Sequence, residues 1–377
     1  MGKFRIKLKS TLEMKKYILG FCVTILSINI ANCQTIWDNY VGSFNDGLAS
    51  VELNGKYGLI DKTGKIVIPC VYENYNIEFS EGLAAVKING KFGFIDKAGK
   101  LSIPCIYDGV GSFSEGLALV LSKNLWGYID KNNKLAIPFQ YHEAYAFSDG
   151  LAAVSSGKAG LTKNGDFLYG FIDKKGQLIY PEKFVAIIPS GKAYNNGTNM
   201  TSFHDSVCIV TDNLNGLQLI NIKGEMKKIN KQYDFGYTLG YVNQFSEGLA
   251  IVNINGKYGF IDRNLNVAIP CVFDRAEHFS EGFAAVQING KYGFIDKTGK
   301  LQIACIYEGG YYPRFSEGLA CVKNNGKYGA INKEGVTIIP FEYDYSDFYF
   351  SDGMAKVFLN GKKYFIDTNN KCVLNCD

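Results

Sequence analysis

The sequence predicts an all-β protein, a tandem array of about nine three-stranded β-meander repeats of about 35 residues each. Two observations predict this class. A short word, Phe-Ser-acid-Gly, returns at a nearly constant interval, and most copies are followed by two apolar runs that flank Asn-Gly. Asn-Gly between apolar runs favours a two-residue type I′ hairpin, because both turn residues need positive φ. The repeats are therefore predicted to be β-hairpins.

The second unit shows the first hairpin clearly. An apolar run at Leu83–Ile88 leads into Asn89 and Gly90, and a second run follows at 91–95. If these two residues form the turn, the runs pair as antiparallel strands with side chains that alternate between two faces.

A second turn and a third strand complete the unit. The four residues from Asp96 to Gly99 suit a turn whose last residue is left-handed, with the Asp side chain bonded to its own backbone. We predict a short strand at 100–103, which Pro104 ends because proline lacks a ladder donor.

One unit is too small to fold alone. Roughly six buried side chains contribute about 1.5–3 kcal/mol each, whereas ordering the backbone costs roughly 1–2 kcal/mol per residue. Neighbouring units must supply the difference by stacking. We predict an elongated solenoid or superhelix, with a closed β-propeller as the alternative, because nine blades exceed the usual range of about four to eight.

The first 33 residues are predicted to be a signal peptide. Lys15 and Lys16 precede an apolar run at 17–30, which is shorter than the roughly twenty residues of a membrane span. Translation starts at Met1 or Met14. Cys33 is a candidate lipidation site, although the residue before it is larger than a lipoprotein signal normally has.

The remainder is divided into three parts. Residues 34–190 hold repeats 1–4, residues 191–240 a divergent repeat with long loops, and residues 241–377 repeats 6–9. The divergent unit retains a degraded copy of the repeated word at 203–210.

The charge of the chain does not predict nucleic-acid binding. Of 40 basic and 36 acidic residues, six basic ones and a single acidic one lie within the first 33 residues. The rest of the chain is therefore near neutral, and we expect a membrane association only through a lipid anchor.

The repeats resemble the WG-repeat family of bacterial proteins, also called KWG repeats. The matching words are Phe-Ser-Glu-Gly-Leu-Ala at 113–118, Trp-Gly-Tyr-Ile-Asp at 126–130 and Ala-Ile-Pro at 136–138, and equivalents cover nearly all of residues 40–377. The chain departs from the family by keeping Trp in one copy, with Tyr or Phe elsewhere. The resemblance implies an all-β repeat array, often secreted or on a surface, with a binding role and no common enzymatic activity.

Two series of acidic residues repeat with the units. One follows each Phe-Ser word and the other opens each second turn. Eight equal carboxylates are more typical of a structural role than of catalysis, which needs one differentiated site. Neither series has the spacing of a calcium loop. We predict no catalytic, cofactor-binding or metal-binding residues.

Four of the ten cysteines occupy one repeat position. Cys70, Cys105, Cys271 and Cys305 stand where other copies have Phe, so we predict buried apolar side chains rather than a disulfide framework. Cys372 and Cys376 are less periodic, and a terminal disulfide is a hypothesis.

The aromatic residue before each repeated glycine is a candidate ligand surface. The residues are Trp126, Tyr57, Tyr258, Tyr292 and Tyr328. Such aromatics bind sugars or cationic groups, but their place inside strands favours core packing. We expect the glycine to make room for an aromatic side chain of the adjacent unit.

We predict a non-catalytic binding or scaffold protein, exported to the periplasm, cell surface or medium, that presents an extended surface to a protein or envelope partner. A carbohydrate- or cell-wall-binding module is the alternative, and an enzyme built on the divergent middle is third. We expect a monomer with no cofactor and no nucleic-acid partner.

Overall fold

The computed structural model describes residues 41–75, 77–158, 167–185, 203–212, 216–230, 233, 245–308, 313–346 and 349–374. Every regular element within these ranges is a β-strand. The predicted signal peptide, Met1, Met14, Cys33 and Cys376 lie outside them. The strands form nine units, which we call blades, and each blade is an antiparallel meander of three strands.

The first strands of the blades, in chain order, are β1 (Leu48–Leu53), β5 (Leu83–Ile88), β9 (Leu117–Ser122), β13 (Leu151–Ser155), β16 (Val207–Asp212), β19 (Leu249–Ile254), β23 (Phe283–Ile288), β27 (Leu319–Asn324) and β31 (Met354–Leu359). The second strands are β2 (Lys56–Asp61), β6 (Lys91–Asp96), β10 (Leu125–Asp130), β14 (Leu168–Asp173), β17 (Gly216–Asn221), β20 (Lys257–Asp262), β24 (Lys291–Asp296), β28 (Lys327–Asn332) and β32 (Lys362–Asp367).

The third strands are β3 (Ile66–Tyr72), β7 (Leu101–Tyr107), β11 (Leu135–Tyr141), β15 (Leu178–Val185), β18 (Met226–Lys228), β21 (Val267–Phe273), β25 (Leu301–Tyr307), β29 (Thr337–Tyr343) and β33 (Cys372–Leu374). Six two-residue strands lie in the segments between blades: β4 (Phe79–Ser80), β8 (Gly109–Val110), β12 (Glu143–Ala144), β22 (Arg275–Ala276), β26 (Phe315–Ser316) and β30 (Tyr345–Ser346).

The predicted turns are confirmed. Asn89 and Gly90 have φ values of 51° and 77°, as a type I′ turn requires. At the second turn Gly99 has φ of 77°, and the Asp96 carboxylate accepts hydrogen bonds from the backbone N–H of Ala98 and Lys100 at 3.0 and 2.9 Å. Local residue chemistry therefore fixes both turns.

The glycine after each aromatic has a different role from the one we expected. The register between second and third strands shifts at this level, and the third strand passes close to the glycine. A Cβ on Gly93 would lie 2.4 Å from the backbone oxygen of Ile103 and 2.7 Å from the backbone nitrogen of Cys105. The missing side chain admits this neighbouring backbone, not an aromatic of the adjacent unit.

The third strand also continues through its proline. We predicted that Pro104 ends it, but β7 runs on to Tyr107. The strand is at the edge of its sheet, where a missing N–H costs no ladder bond.

Two blades lack the glycine. Gln218 occupies the position in the fifth blade, where β17 and β18 pair without a register shift. Tyr364 occupies it in the ninth, where the described part of β33 ends at Leu374.

The ninth blade packs on the first. Phe44 and Phe365 are in edge-to-face contact with ring centroids 5.6 Å apart, and the N–H of Gly47 donates to the Asp352 carboxylate at 2.5 Å. Val41 and Met354 belong to the same buried cluster. The blades therefore close into a ring. The elongated solenoid is not confirmed, and the closed propeller that we kept as the alternative is the observed architecture.

The core lies between neighbouring blades. The Phe of each repeated word packs on the second strand of the preceding blade, as Phe113 does on Phe94 and Phe279 on Phe260, both with centroids 4.9 Å apart. Closure gives the last apolar face the same kind of partner as all others.

The linker between two blades pairs with the first strand of the second one, as β8 pairs with β9 and β22 with β23. The third strand forms the opposite edge in every blade except the fourth, where β15 pairs with β16 of the next blade. Its alternate side chains are exposed, with Val272 at 60% and Ile306 at 59%. We therefore call the linkers the inner edge of the ring and the third strands its outer rim.

Candidate functional site

The acid of each Phe-Ser-acid-Gly turn binds the next blade. We call this contact the front clasp, because these turns and the second turns lie at the same end of the strands. The carboxylate accepts a bond from a backbone N–H of the following turn at eight junctions: Glu81–Gly116, Glu115–Gly150, Asp149–Ser206, Asp205–Gly248, Glu247–Gly282, Glu281–Gly318, Glu317–Gly353 and Asp352–Gly47.

A cation from the second turn of the next blade completes most front clasps. Lys131 lies 3.0 Å from the Glu81 carboxylate and Lys297 lies 2.9 Å from that of Glu247, and Arg263 contacts Asp205 at 3.1 Å. The acids that repeat along the chain are therefore used to join blades. This geometry agrees with the structural role that we favoured for them.

We expect Glu81→Gln to lower the free energy of unfolding by about 1 kcal/mol, because the amide loses the ion pair with half-exposed Lys131. Burial opposes ionisation of Glu81, but the bonds from Lys131 and Gly116 outweigh it and lower its pKa. The lost stabilisation is therefore present at neutral pH and fades as pH falls below the usual range of a glutamate. Urea unfolding at pH 7 measures it.

Glu317→Gln is the matched control for that substitution. Glu317 bonds Gly353 in the same way, but Thr368 stands where other blades have the clasp cation. We expect a smaller loss, and equal losses in both variants would contradict a contribution from the cation.

A second set of acids joins the blades at the opposite end, and we call it the rear clasp. Glu73, at the start of a linker, accepts bonds from the N–H groups of Asn89 and Gly90 in the next hairpin turn, both at 3.0 Å. These bonds, that from Gly90 first, lower the pKa of Glu73. Asp108, Asp274, Glu308 and Asp344 occupy equivalent positions and bind the next hairpin turn.

Our sequence reasoning missed the rear clasp. The available signal was an acid directly after the last aromatic of the third strand, as in Tyr107-Asp108, paired with Lys91 at the start of the second strand. The acid and the lysine lie in two separate segments of the repeat, so no single motif contains both.

The cysteine position is half-buried. The thiols of Cys70 and Cys105 point at the backbone oxygens of Val51 and Val86, both at 3.9 Å, and burial raises the pKa of Cys70 to about 11. Cys70, Cys105, Cys208, Cys271, Cys305 and Cys321 are free thiols. Cys372 is disulfide-bonded, to a partner outside the described residues.

The aromatic candidates are not freely exposed. Tyr292 is buried, and Trp126, Tyr57, Tyr258 and Tyr328 are half-buried. Each of the five packs on one of the apolar clusters between blades. The structure spreads them over separate blades and does not gather them in one pocket. Their use as a ligand surface stays a prediction.

Residues that do not repeat stand close together on the inner edge. Arg275 and Glu277 lie in the linker that leads to the seventh blade, and Arg314 lies in the next linker, beside β26. The Arg314 guanidinium lies over the ring of Tyr349, 4.3 Å from its centroid, and Tyr349 belongs to the linker after that. Three successive linkers thus contribute to one group, which we call the arginine site.

The electrostatics of the arginine site are unusual for this chain. Burial raises the pKa of Glu277 to about 7, although the charges of Arg275 and Arg314 both act to lower it. Within the described ranges, neither arginine forms an ion pair within 4.0 Å. The repeated acids form ion pairs with lysines in the clasps, whereas the guanidinium groups of this site form none among the described residues.

We expect Glu277→Gln to flatten part of the pH dependence of stability. The pKa of Glu277 is higher in the folded chain than its ordinary value of 4.5, so its contribution is complete below pH 4.5 and is lost as pH rises through about 7. The variant should gain about 2 kcal/mol over the native chain at pH 8.5 and match it at pH 4.5. Urea unfolding at both pH values tests this, and an equal difference at both would contradict it.

Two further findings limit the chemistry of the described residues. No group of three or more His, Cys, Asp or Glu side chains in these ranges could hold a metal ion. None of their elements is a helix of the length and hydropathy that a membrane span requires.

Closure, the inter-blade core and the two clasps define the class: a nine-bladed β-propeller made of tandem sequence repeats. A family described as WG containing repeat matches residues 39–57, 57–92, 92–126, 126–158, 219–258, 258–292, 292–328 and 328–362. These stretches make up more than half of the chain, so it belongs to the WG-containing-repeat family. The predicted resemblance is confirmed.

Several solved structures are similar to the chain at low identity. BamB from Moraxella catarrhalis matches 87% of this chain and 96% of its own, at 8% identity and a TM-score of 0.37. Apo AztD from Citrobacter koseri matches 79% and 92%, at 14% identity and a TM-score of 0.36. Sqt1 from Saccharomyces cerevisiae matches 80% and 95%, at 13% identity and a TM-score of 0.39. No match was found among curated proteins.

Proposed function

We propose that this chain is an exported, non-catalytic binding scaffold for a protein of the cell envelope. The observation that supports this most is that two sets of polar residues have different roles. The repeated acids and lysines hold the blades together, whereas the residues that differ between blades gather at the arginine site on the inner edge. A partner can be recognised specifically only by residues that are not the same in every blade.

A rigid ring suits such a role. Each junction is joined by the buried Phe of a repeated word and by a clasp at the front or rear, so the linkers at the inner edge have fixed positions. Ordering costs on binding are therefore small. Catalysis would need a nucleophile or a base with a neighbouring group that activates it, and the arginine site offers guanidinium groups, a carboxyl group and a phenol.

Export is supported by two features. Residues 1–33 have the basic and apolar regions of a signal peptide. Cys372 is disulfide-bonded, and disulfides persist mainly outside the reducing cytosol. Mass spectrometry of the protein from its native cells tests this: we expect a chain that begins at Gln34, or at a lipidated Cys33, and an intact amino terminus at Met1 or Met14 would overturn the proposal of export.

The partner is tested by affinity capture from solubilised envelopes. The native protein is compared with a variant that carries Arg314→Ala and Tyr349→Ala, and with a control that carries Glu78→Ala and Ser112→Ala at the same level of two other linkers. We expect a protein that the native chain and the control retain and the first variant loses. If the native chain retains no protein, the proposal fails. If all three retain the same protein, the scaffold function stands and the partner binds at a place other than the arginine site.

A carbohydrate-binding module is the second candidate. The observation that favours it is a pair of exposed tyrosines in the linkers, with Tyr75 58% and Tyr345 39% exposed. Aromatic faces of this kind stack on sugar rings. Saturable binding of purified peptidoglycan that Tyr75→Ala or Trp126→Ala abolishes would favour this function over the first.

A further inference from the structure

The arginines of this chain have an uneven distribution. The whole sequence has four: Arg5, Arg263, Arg275 and Arg314. Arg5 is in the predicted signal peptide, and Arg263 replaces a lysine in a front clasp. Both of the others lie in consecutive linkers on the inner edge, in a chain whose remaining basic residues are almost all lysines.

Arginine differs from lysine in the ligand that it binds best. Its planar fork donates two parallel hydrogen bonds to a carboxylate, whereas a lysine ammonium acts as a point charge. A bidentate contact requires a guanidinium whose position is fixed in advance. Tyr349 provides this for Arg314 through a cation–π contact, with the guanidinium carbon 4.3 Å from the ring centroid. Arg314 is exposed, so its donors are accessible to a ligand.

The positive charges of Arg275 and Arg314 are only partly compensated by their surroundings. Glu277 is a carboxyl group that interacts with both charges, but burial raises its pKa to about 7, so it is only partly ionised at neutral pH. Other side chains of the same linkers, Ala276 and Pro313, are apolar and buried. Arg275, Arg314 and Tyr349 are themselves exposed. The site therefore has an excess of positive charge on an otherwise near-neutral ring.

We propose that the arginine site binds the carboxylate groups of an acidic peptide segment, with Arg275 and Arg314 as the donors and Tyr349 as the support of Arg314. The proposal rests on the proposed function and names the chemistry of its partner. A peptide is favoured over a sugar acid, because Arg314 covers the face of Tyr349 on which a sugar ring would stack. Two guanidinium groups from neighbouring linkers offer donors to two carboxylates of one acidic chain.

The experiment uses fluorescence anisotropy with the purified protein and a labelled peptide of six glutamates. A peptide of six glutamines is the neutral comparison, and polygalacturonate is the competitor that supplies carboxylates on a sugar chain. We expect saturable binding of the glutamate peptide only, weaker at higher salt because exposed charges are screened. Stronger binding of polygalacturonate than of the peptide would overturn the choice of a peptide.

Substitutions of the two arginines test whether the glutamate peptide binds at the arginine site. Arg275→Ala combined with Arg314→Ala should weaken binding at least tenfold, and Arg314→Lys, which keeps the charge but not the planar fork, should weaken it a fewfold. Lys87→Ala is the matched control, because Lys87 also lies over an aromatic ring, that of Phe92 at 5.1 Å, but outside the site. Thermal unfolding confirms that each variant is folded.

The outcomes separate this inference from the proposed function. Unchanged binding in the double variant, or an equal loss in Lys87→Ala, would overturn the arginine site. If the double variant loses the model peptide but still captures the envelope partner, the scaffold function stands and the inference about its binding site is wrong.

Discussion

Gly293→Ala should destabilise the protein by about 3 kcal/mol or more, the largest effect that we expect from adding one methyl group. The new Cβ would lie 2.4 Å from the backbone oxygen of Ile303 and 2.7 Å from backbone atoms of Ala304 and Cys305. No flexible side chain is available to move aside. The third strand of the seventh blade must shift, and its pairing with β24 is lost in part. Urea unfolding gives the free energy.

Gly42→Ala is the control for this substitution. Its Cβ would meet the nearest atom, on Ser50, at 3.6 Å, which is ordinary contact, and its φ is not in the left-handed region. We expect a change within about 0.5 kcal/mol. If Gly293→Ala were equally mild, the close passage of the third strand would not be the reason for the glycine.

Phe44→Ala should cost about 3–5 kcal/mol and open the ring. Phe44 is 2% exposed and packs on Phe365, across the one junction whose two blades are not consecutive in the chain. Loss of the ring contact leaves the rest of the cluster with Val41 and Met354, and the bonds of Gly47 and Lys62 to Asp352, to hold that junction. Small-angle scattering at denaturant concentrations below the main transition should then show a larger radius of gyration.

Phe279→Ala tests whether opening is specific to the closing junction. Phe279 is also 2% exposed and makes the corresponding contact with Phe260, but a linker joins those two blades covalently. We expect a similar loss of stability without an increase in radius before unfolding. An increase in both variants, or in neither, would contradict the role of Phe44 as the closing contact.

Much of the blade could be predicted because its signals are local. Asn89-Gly90 determines a hairpin turn and Asp96 bonds its own turn, so both are encoded within a few residues. The partners of repeated residues could not be predicted in the same way. Glu81 is plainly a turn residue in the sequence, yet its carboxylate binds Gly116 and Lys131 of the next blade. These contacts join residues that are far apart in the sequence, so only the three-dimensional structure shows them.

The candidate site was predicted less well than the fold. The sequence pointed to the repeated aromatics such as Trp126 and Tyr292, which the structure places against the core. No local sequence pattern relates Arg275, Arg314 and Tyr349, so the sequence did not predict that they form a site. They come together only because three successive linkers lie side by side on the inner edge.

The sequence by itself determined the strands, the turns, the number of repeats and the family, since each follows from residue chemistry inside one unit. Closure was decided by the tertiary structure alone. The same period of about 35 residues is compatible with an open superhelix or a ring. The choice depends on the small rotation between neighbouring blades, summed over nine of them, which brings Phe44 to Phe365 and Gly47 to Asp352.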